Sequence, residues 1–325
     1  MNIFSGKSKQ PKPVVSVCIQ TYQHGDYISQ ALDSVLEQEC EFPYEILLGE
    51  DGSTDGTREI CNEYAQKYPD VIRLFLNDRS NVIYIDGYPT GRWNFLNNVK
   101  HANGKYIALL SGDDYWQAND KLQQQIDMLE NNDKYSMCFH DVNILHDDGS
   151  LEEFPDLSGH TEINLEDLFD QWFIPTCSMV FRNNINFPEW FTDVASGDIA
   201  LHFLLAEQGK FYYLKNNMGV YRKHAGGVSS THNHYKKAVD MSRLYHYLDL
   251  HFNRKYRDKI NNAIKGEIYL HIEQPHLLEK EITKAKVDAK IKSMTRVLNH
   301  PLIKPIVLLL KKIKRDKRFG VYEEN

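Results

Sequence analysis

Two adjacent carboxylates, Asp113 and Asp114, close an apolar run in LLSGDDYW, residues 109–116. Like charges so placed repel each other, and a nearby cation offsets that cost. Carboxylate oxygens suit a hard divalent ion such as Mg2+ or Mn2+, which keeps positions open for substrate phosphates. A solvated turn is the plain alternative. A second acidic stretch, GEDGSTDGT, sets Glu50, Asp51 and Asp55 among Gly52 and Gly56, and Ser53, Thr54 or Asp55 suits the cap of a following helix. A third polar stretch, QTYQHGD, follows VVSVCI. None of them carries the Gly-Lys-Ser/Thr of a Walker phosphate loop or the spaced glycines of the dinucleotide fingerprint.

These stretches need a scaffold that brings them together. From Val14 onward, apolar runs alternate with segments of helical period, the pattern of an α/β domain with a largely parallel sheet flanked by helices. VVSVCI, EILLGE, VIRLFL, KYIALL and YSMCFHDV read as strands. Helices are expected over residues 27–36, after GEDGSTDGT, over 94–102, and from Asn119 with Leu122, Ile126 and Leu129 turned inward. All three polar stretches then fall at carboxyl ends of strands, where ligands gather in open parallel sheets. Further along, HDDGSLEEFPDLSG reads as a surface excursion, residues 165–173 as a helix, CSMVF, FYYL and MGVYR as strands, and a helix follows Gly197. From about His234 the chain reads as helical and charge-rich.

The ordered segments VSVCIQTYQHGDYISQALDSVLEQ, EILLGEDGSTDGTREI and GKYIALLSGDDYW resemble the nucleotide-sugar-binding half of family 2 glycosyltransferases, inverting enzymes of the GT-A fold, over residues 14–130. The resemblance implies a Rossmann-like sheet that binds a nucleotide-sugar donor, with Thr21 and Tyr22 meeting the nucleotide, Asp51 the uracil-type base, and Asp113 the ribose and donor sugar. It implies Asp114 as the metal-binding acid, with Mn2+ or Mg2+ as cofactor. Ser111 stands where many relatives carry another Asp, which removes one carboxylate from the motif. An inverting transfer also needs a general base for the acceptor hydroxyl. Asp198 matches the Asp of the family's Glu-Asp pair, while Gly197 replaces the Glu; helix capping by Ser196 or Asp198 is the competing reading. YRKHAGG matches a segment near the diphosphate, which places Arg222 or Lys223 on phosphate and His224 on metal or phosphate.

The rest of the chain bounds this expectation. Its 325 residues are 42% hydrophobic and carry a net charge of −7, so a substantial core is expected and a general nucleic-acid binder is not. Five dispersed cysteines form no zinc-ribbon pair and suit a reducing cytoplasm. His232 and His234 have metal-like spacing but read as part of a polar connection, and Tyr115, Trp116, Trp172, Trp190 and Tyr221 read as core anchors or as walls of a sugar pocket. Near the end, PLIKPIVLLLKKIKRDKRFG joins an apolar run to a basic flank, which suits an anionic membrane surface, with a helix packed on the domain and a solvated basic end as the alternative. The expected organisation is an N-terminal extension at 1–13, a GT-A domain at 14–232 with donor half 14–146 and acceptor half 147–232, and a helical, basic-ended region at 233–325. The expected protein is a cytoplasmic transferase, peripheral on the inner face of the membrane, passing sugar from a UDP-sugar to a glycan or lipid-linked acceptor. A sugar nucleotidyltransferase and a non-catalytic sugar-nucleotide-binding protein are the alternatives.

Overall fold

The computed structural model describes residues 11–153, 159–170, 174–227, 234–269, 283–286, 288–290 and 292. Spatially the chain divides into two units, Met1–His232 and Asn233–Asn325. In the first, the strand β1 (Val15–Thr21) is followed by α1 (Ile28–Leu36), β2 (Tyr44–Glu50), α2 (Thr57–Lys67) and β3 (Ile72–Leu76). A short hairpin of β4 (Ile83–Ile85) and β5 (Tyr88–Thr90) leads to α3 (Arg92–His101), β6 (Tyr106–Ser111), β7 (Tyr115–Trp116) and α4 (Lys121–Glu130). Then come β8 (Tyr135–His146), β9 (Leu151–Glu153), β10 (Glu162–Ile163), β11 (Val180–Arg182), α5 (Gly197–Ala206) and β12 (Lys210–Lys223).

The main path of the sheet runs β10, β12, β8, β11, β6, β1, β2, β3. Pairings of β1 with β2 and β6, of β2 with β3 and of β8 with β12 are parallel, whereas β11 lies antiparallel between β6 and β8. Strand β1 sits inside the sheet, so its Val15, Val17, Cys18 and Ile19 are all fully buried, as expected for a strand covered on both faces. Helix α1 turns Ile28, Ala31, Leu32 and Val35 onto the sheet, a spacing that places all four on one helical face.

The structure corrects several sequence expectations. Residues 165–173 form no described α-helix; a 3-10 turn at Asp167–Asp170 stands there instead, and 171–173 lie outside the described residues. Asn164 and Asp167 bond to nearby main-chain N–H groups, giving the backbone a local alternative to helix. CSMVF is not one strand, because Thr176–Ser178 turn into a 3-10 helix in which Ser178 bonds back to the Pro175 carbonyl through both its N–H and its hydroxyl. FYYL and MGVYR, by contrast, belong to one strand of 14 residues, β12, whose register slips between Leu214 and Gly219.

The second unit holds α6 (His234–His251) and α7 (Arg257–Tyr269), which pack on each other across a bend where Asn253 and Arg254 take left-handed φ of 49° and 66°. Leu244, Leu248, Ile260 and Ile264 are buried there. No helix among the described residues is long and apolar enough to cross a membrane. Trp172, His232 and the C-terminal basic segment lie outside the described residues, as does the side chain of His234.

Candidate active site

Register brings the three polar stretches together. Thr21 pairs with Glu50 and Gln20 with Ser111, so β1, β2 and β6 end side by side. The first two loops are then tied to each other: Gln23 N–H donates to the Ser53 hydroxyl, His24 N–H to the Thr57 hydroxyl and Gly25 N–H to Asp55 Oδ2, while the Gln23 amide exchanges bonds with Thr54. Gly112 lets the first loop close over the acid pair, because a Cβ there would lie 2.5 Å from Thr21 Oγ1 and 2.8 Å from His24 Nδ1. The acids of GEDGSTDGT thus divide their work. Glu50 is fully buried, accepts the Ser53 N–H and pairs with Arg58, and Asp55 accepts from Thr57 and Gly25, so both are bound up in holding the loop.

Asp51 is different. It is 5% exposed, its Oδ2 meets Arg79 Nη1 at 3.2 Å, and its Oδ1 is buried with no hydrogen-bond partner among the described residues. Burial pushes its carboxyl above the ordinary range, against the pull of Arg79. The Arg79 guanidinium also lies 4.0 Å over the ring of Tyr22, which is 41% exposed. An aromatic face, a spare carboxylate oxygen and a guanidinium therefore share one corner of the sheet end. That set suits a nucleobase edge on which a donor adjoins an acceptor, a pattern that uracil presents with its ring N–H and carbonyl.

At the end of β6, Asp114 is 1% exposed, and its Oδ1 accepts the Arg222 main-chain N–H at 2.9 Å. Burial, reinforced by the neighbouring Asp113 charge, holds its carboxyl well above the usual range, while the Arg222 main-chain N–H and guanidinium charge oppose that shift. Asp113 is the more accessible partner: its Oδ2 lies 3.1 Å from His224 Nε2 and 3.7 Å from His24 Nε2. Burial lowers the pKa of His24, against the pull of the Asp113 charge. Arg222 reaches the Asp113 carbonyl and Gln30, and its guanidinium stands over the rings of Tyr27 and Tyr115 at 5.0 and 4.7 Å. Trp116, 3% exposed and bonded to the Cys177 carbonyl, anchors this turn in the core.

Among the described residues no three of His, Cys, Asp and Glu are arranged to hold a metal ion alone. The residues still fit a divalent ion that takes its other ligands from phosphate and water: a buried carboxylate with a raised pKa sits behind an accessible one, and a cation relieves both.

Asp198 occupies the first turn of α5 and is exposed. Its position follows from α3. Asn94 donates to the Gly49 carbonyl and Asn98 to the Ile19 and Leu47 carbonyls, so the helix is bolted to the sheet with its N-terminal end toward the carboxyl ends of the strands. There Arg92 bonds to the carbonyls of Phe191, Val194 and Ala195, and Asp198 follows three residues later, at the end of the sheet that carries the acid pair. The structure therefore gathers Thr21, Tyr22, Asp51, Asp113, Asp114, Arg222 and His224 in the converging loops and sets Asp198 at the same end, on a separate segment. His24, Arg79 and Arg92 were not singled out from the sequence. His24 lies in a stretch that was, but among 14 histidines nothing marked it, and nothing local marks the two arginines.

The profile of the family described as Glycosyl transferase family 2 matches residues 16–186. A putative teichuronic acid biosynthesis glycosyltransferase of Bacillus subtilis is 32% identical over 145 residues, 44% of this chain and 52% of that one. Two solved structures share the fold at 15% identity: S. aureus TarS 1-349 in complex with UDP, with a TM-score of 0.50 over 85% of this chain and 88% of that one, and a mannosyltransferase from Pyrobaculum calidifontis in complex with GDP-Man and Mn2+, with a TM-score of 0.51 over 97% and 89%. Against the first curated relatives, 34% identical over 215 residues, the chain spans 60% of their length.

Proposed function

We propose, from the premise that this chain belongs to glycosyl transferase family 2, that it is a metal-dependent inverting glycosyltransferase using a UDP-sugar. The fold is of the GT-A type, a mixed sheet flanked by helices. The observation that carries the donor reading is the buried, unshared Oδ1 of Asp51 beside Arg79 and Tyr22. Asp51 accepts the ring N–H of uracil, Arg79 donates to a base carbonyl, and Tyr22 offers its face. Thr21 meets the nucleotide, Asp113 meets the ribose and sugar, and Arg222 compensates phosphate charge. Asp114 and His224 would hold a divalent cation, Mn2+ or Mg2+, together with phosphate oxygens and water, and it would neutralise charge developing on the departing diphosphate. Asp198 takes the proton of the acceptor hydroxyl.

The acceptor is a glycan or lipid-linked glycan of surface polysaccharide synthesis, a reading supported by the name of the Bacillus subtilis relative. The C-terminal basic segment brings the enzyme to the cytoplasmic face of an anionic membrane, in keeping with its sequence of an apolar run and lysines. Truncation of the lysines and of residues 315–325 is then expected to abolish co-sedimentation with anionic vesicles; unchanged sedimentation contradicts the membrane role. For the chemistry, a panel of UDP-, GDP- and CDP-sugars with mass-spectrometric detection should give UDP and a transferred sugar. Release of pyrophosphate instead would point to nucleotidyl transfer, and binding of UDP without turnover of any donor to a non-catalytic protein.

A further inference from the structure

Arg92 is a cation 6% exposed, and the bonds given to its guanidinium all go to main-chain carbonyls, those of Phe191, Val194 and Ala195. It also lies 4.4 Å over the Phe191 ring. A buried charge without a carboxylate in hydrogen-bond contact is costly. The carboxylate whose charge favours this guanidinium is Asp198, and burial still pulls the group down to about 10. The space around it is filled: a Cβ on residue 197 would stand 2.0 Å from Nη2 and 2.3 Å from Cζ. The terminal atom of a flexible side chain yields easily when free, but this one is held by three carbonyls and a ring. Glycine at 197 and arginine at 92 are therefore one packing solution.

The mechanical path is continuous. Strands β1 and β2 hold Asn98, β2 holds Asn94, α3 carries Arg92, and Arg92 gathers the carbonyls that lead into α5. Phe95, one turn further, packs on Phe187 and Phe191 at 5.6 and 6.1 Å and keeps the same segment against the helix. We infer that Arg92 is the positioning residue that holds Asp198 at the reacting hydroxyl, by tying the segment before α5 to the donor-binding sheet. Gly197, which sets no side chain there, is what admits the guanidinium to that place.

The inference rests on Asp198 as the base, and a double-mutant cycle separates the two. Full-length Arg92→Gln, Arg92→Lys, Asp198→Asn and the Arg92→Gln/Asp198→Asn double variant are assayed for UDP release from UDP-hexoses and UDP-N-acetylhexosamines, with water as acceptor. Arg92→Gln is expected to lower kcat about tenfold to a hundredfold, the scale of a misplaced reacting group, with calorimetric UDP affinity in Mn2+ unchanged. Arg92→Lys restores part of the rate, and the double variant is no slower than Asp198→Asn alone, because a residue acting through another adds nothing once that one is gone. A double variant slower than Asp198→Asn by the full Arg92→Gln factor overturns the inference. So does a fully active Arg92→Gln beside an inactive Asp198→Asn, while wild-type turnover in Asp198→Asn removes the base assignment and the inference together. If Arg92→Gln does not fold, Gly197→Ala, which displaces the guanidinium from the other side, is read in the same way.

Discussion

Each acid at the sheet end is known by what already occupies its oxygens. Glu50 and Asp55 spend theirs on the loop, while Asp51 keeps Oδ1 unshared. Asp51→Asn exchanges an anionic acceptor for an amide, and a hydrogen bond to a charged group contributes about 1.5–3 kcal/mol, so UDP affinity by calorimetry should fall about tenfold to a hundredfold. Unchanged UDP affinity in Asp51→Asn would contradict the base assignment. The paired imidazoles on Asp113 give a second expectation. His224→Ala should weaken Mn2+ binding in the presence of UDP about tenfold or more, followed by the EPR signal of free Mn2+, and leave metal-free UDP binding intact. The sequence made Asp51, Asp113 and Asp114 legible because motif order fixes their place at strand ends. It did not reveal His24 or Arg79, whose meaning arises only when β1 and β2 stand side by side and distant loops touch.

At the scale of elements, α3 is the clearest structural investment. It buries Asn94 and Asn98, polar side chains that a helix places inward only when they have carbonyls to meet. Asn98→Ala removes two buried hydrogen bonds at a cost of about 2 kcal/mol, and a calorimetric melt should show a midpoint lower by about 4 °C or more. An unchanged midpoint would mean those bonds contribute little. The regular elements of the donor half were readable because buried strands and amphipathic helices leave periodic patterns, as VSVCIQT and the Ile28–Leu36 helix do. The acceptor side was read less well. There, side chains such as Asn164, Asp167 and Ser178 capture nearby main-chain groups, and such local bonds overrule apolar periodicity.

For the molecule as a whole, Lys121 couples stability to pH. It is fully buried, its Nζ lies 3.8 Å over the Trp116 ring and has no hydrogen-bond partner among the described residues, and burial pulls it down to about 7. Unfolded, a lysine keeps its proton to about pH 10.4. Between the two values the unfolded chain binds the additional proton, so stability rises with pH, and the cost of burying the charge is complete below about 7. Lys121→Met should therefore melt higher than the native protein at pH 7, with the gain shrinking toward pH 10; a gain constant across that range would contradict the assignment. Strand β12 carries a different global consequence. It delivers Arg222 to the acid pair after register shifts between Leu214 and Gly219. Successive residues of a strand face opposite ways, so deleting one residue within 215–218 would set Lys223 in the place of Arg222 and turn Arg222 to the other face if the downstream pairing moved with it. Chain length in that bulge works as a setting of phase, and losing one residue there would invert the face presented to the acid pair while leaving every side chain of the site in the sequence.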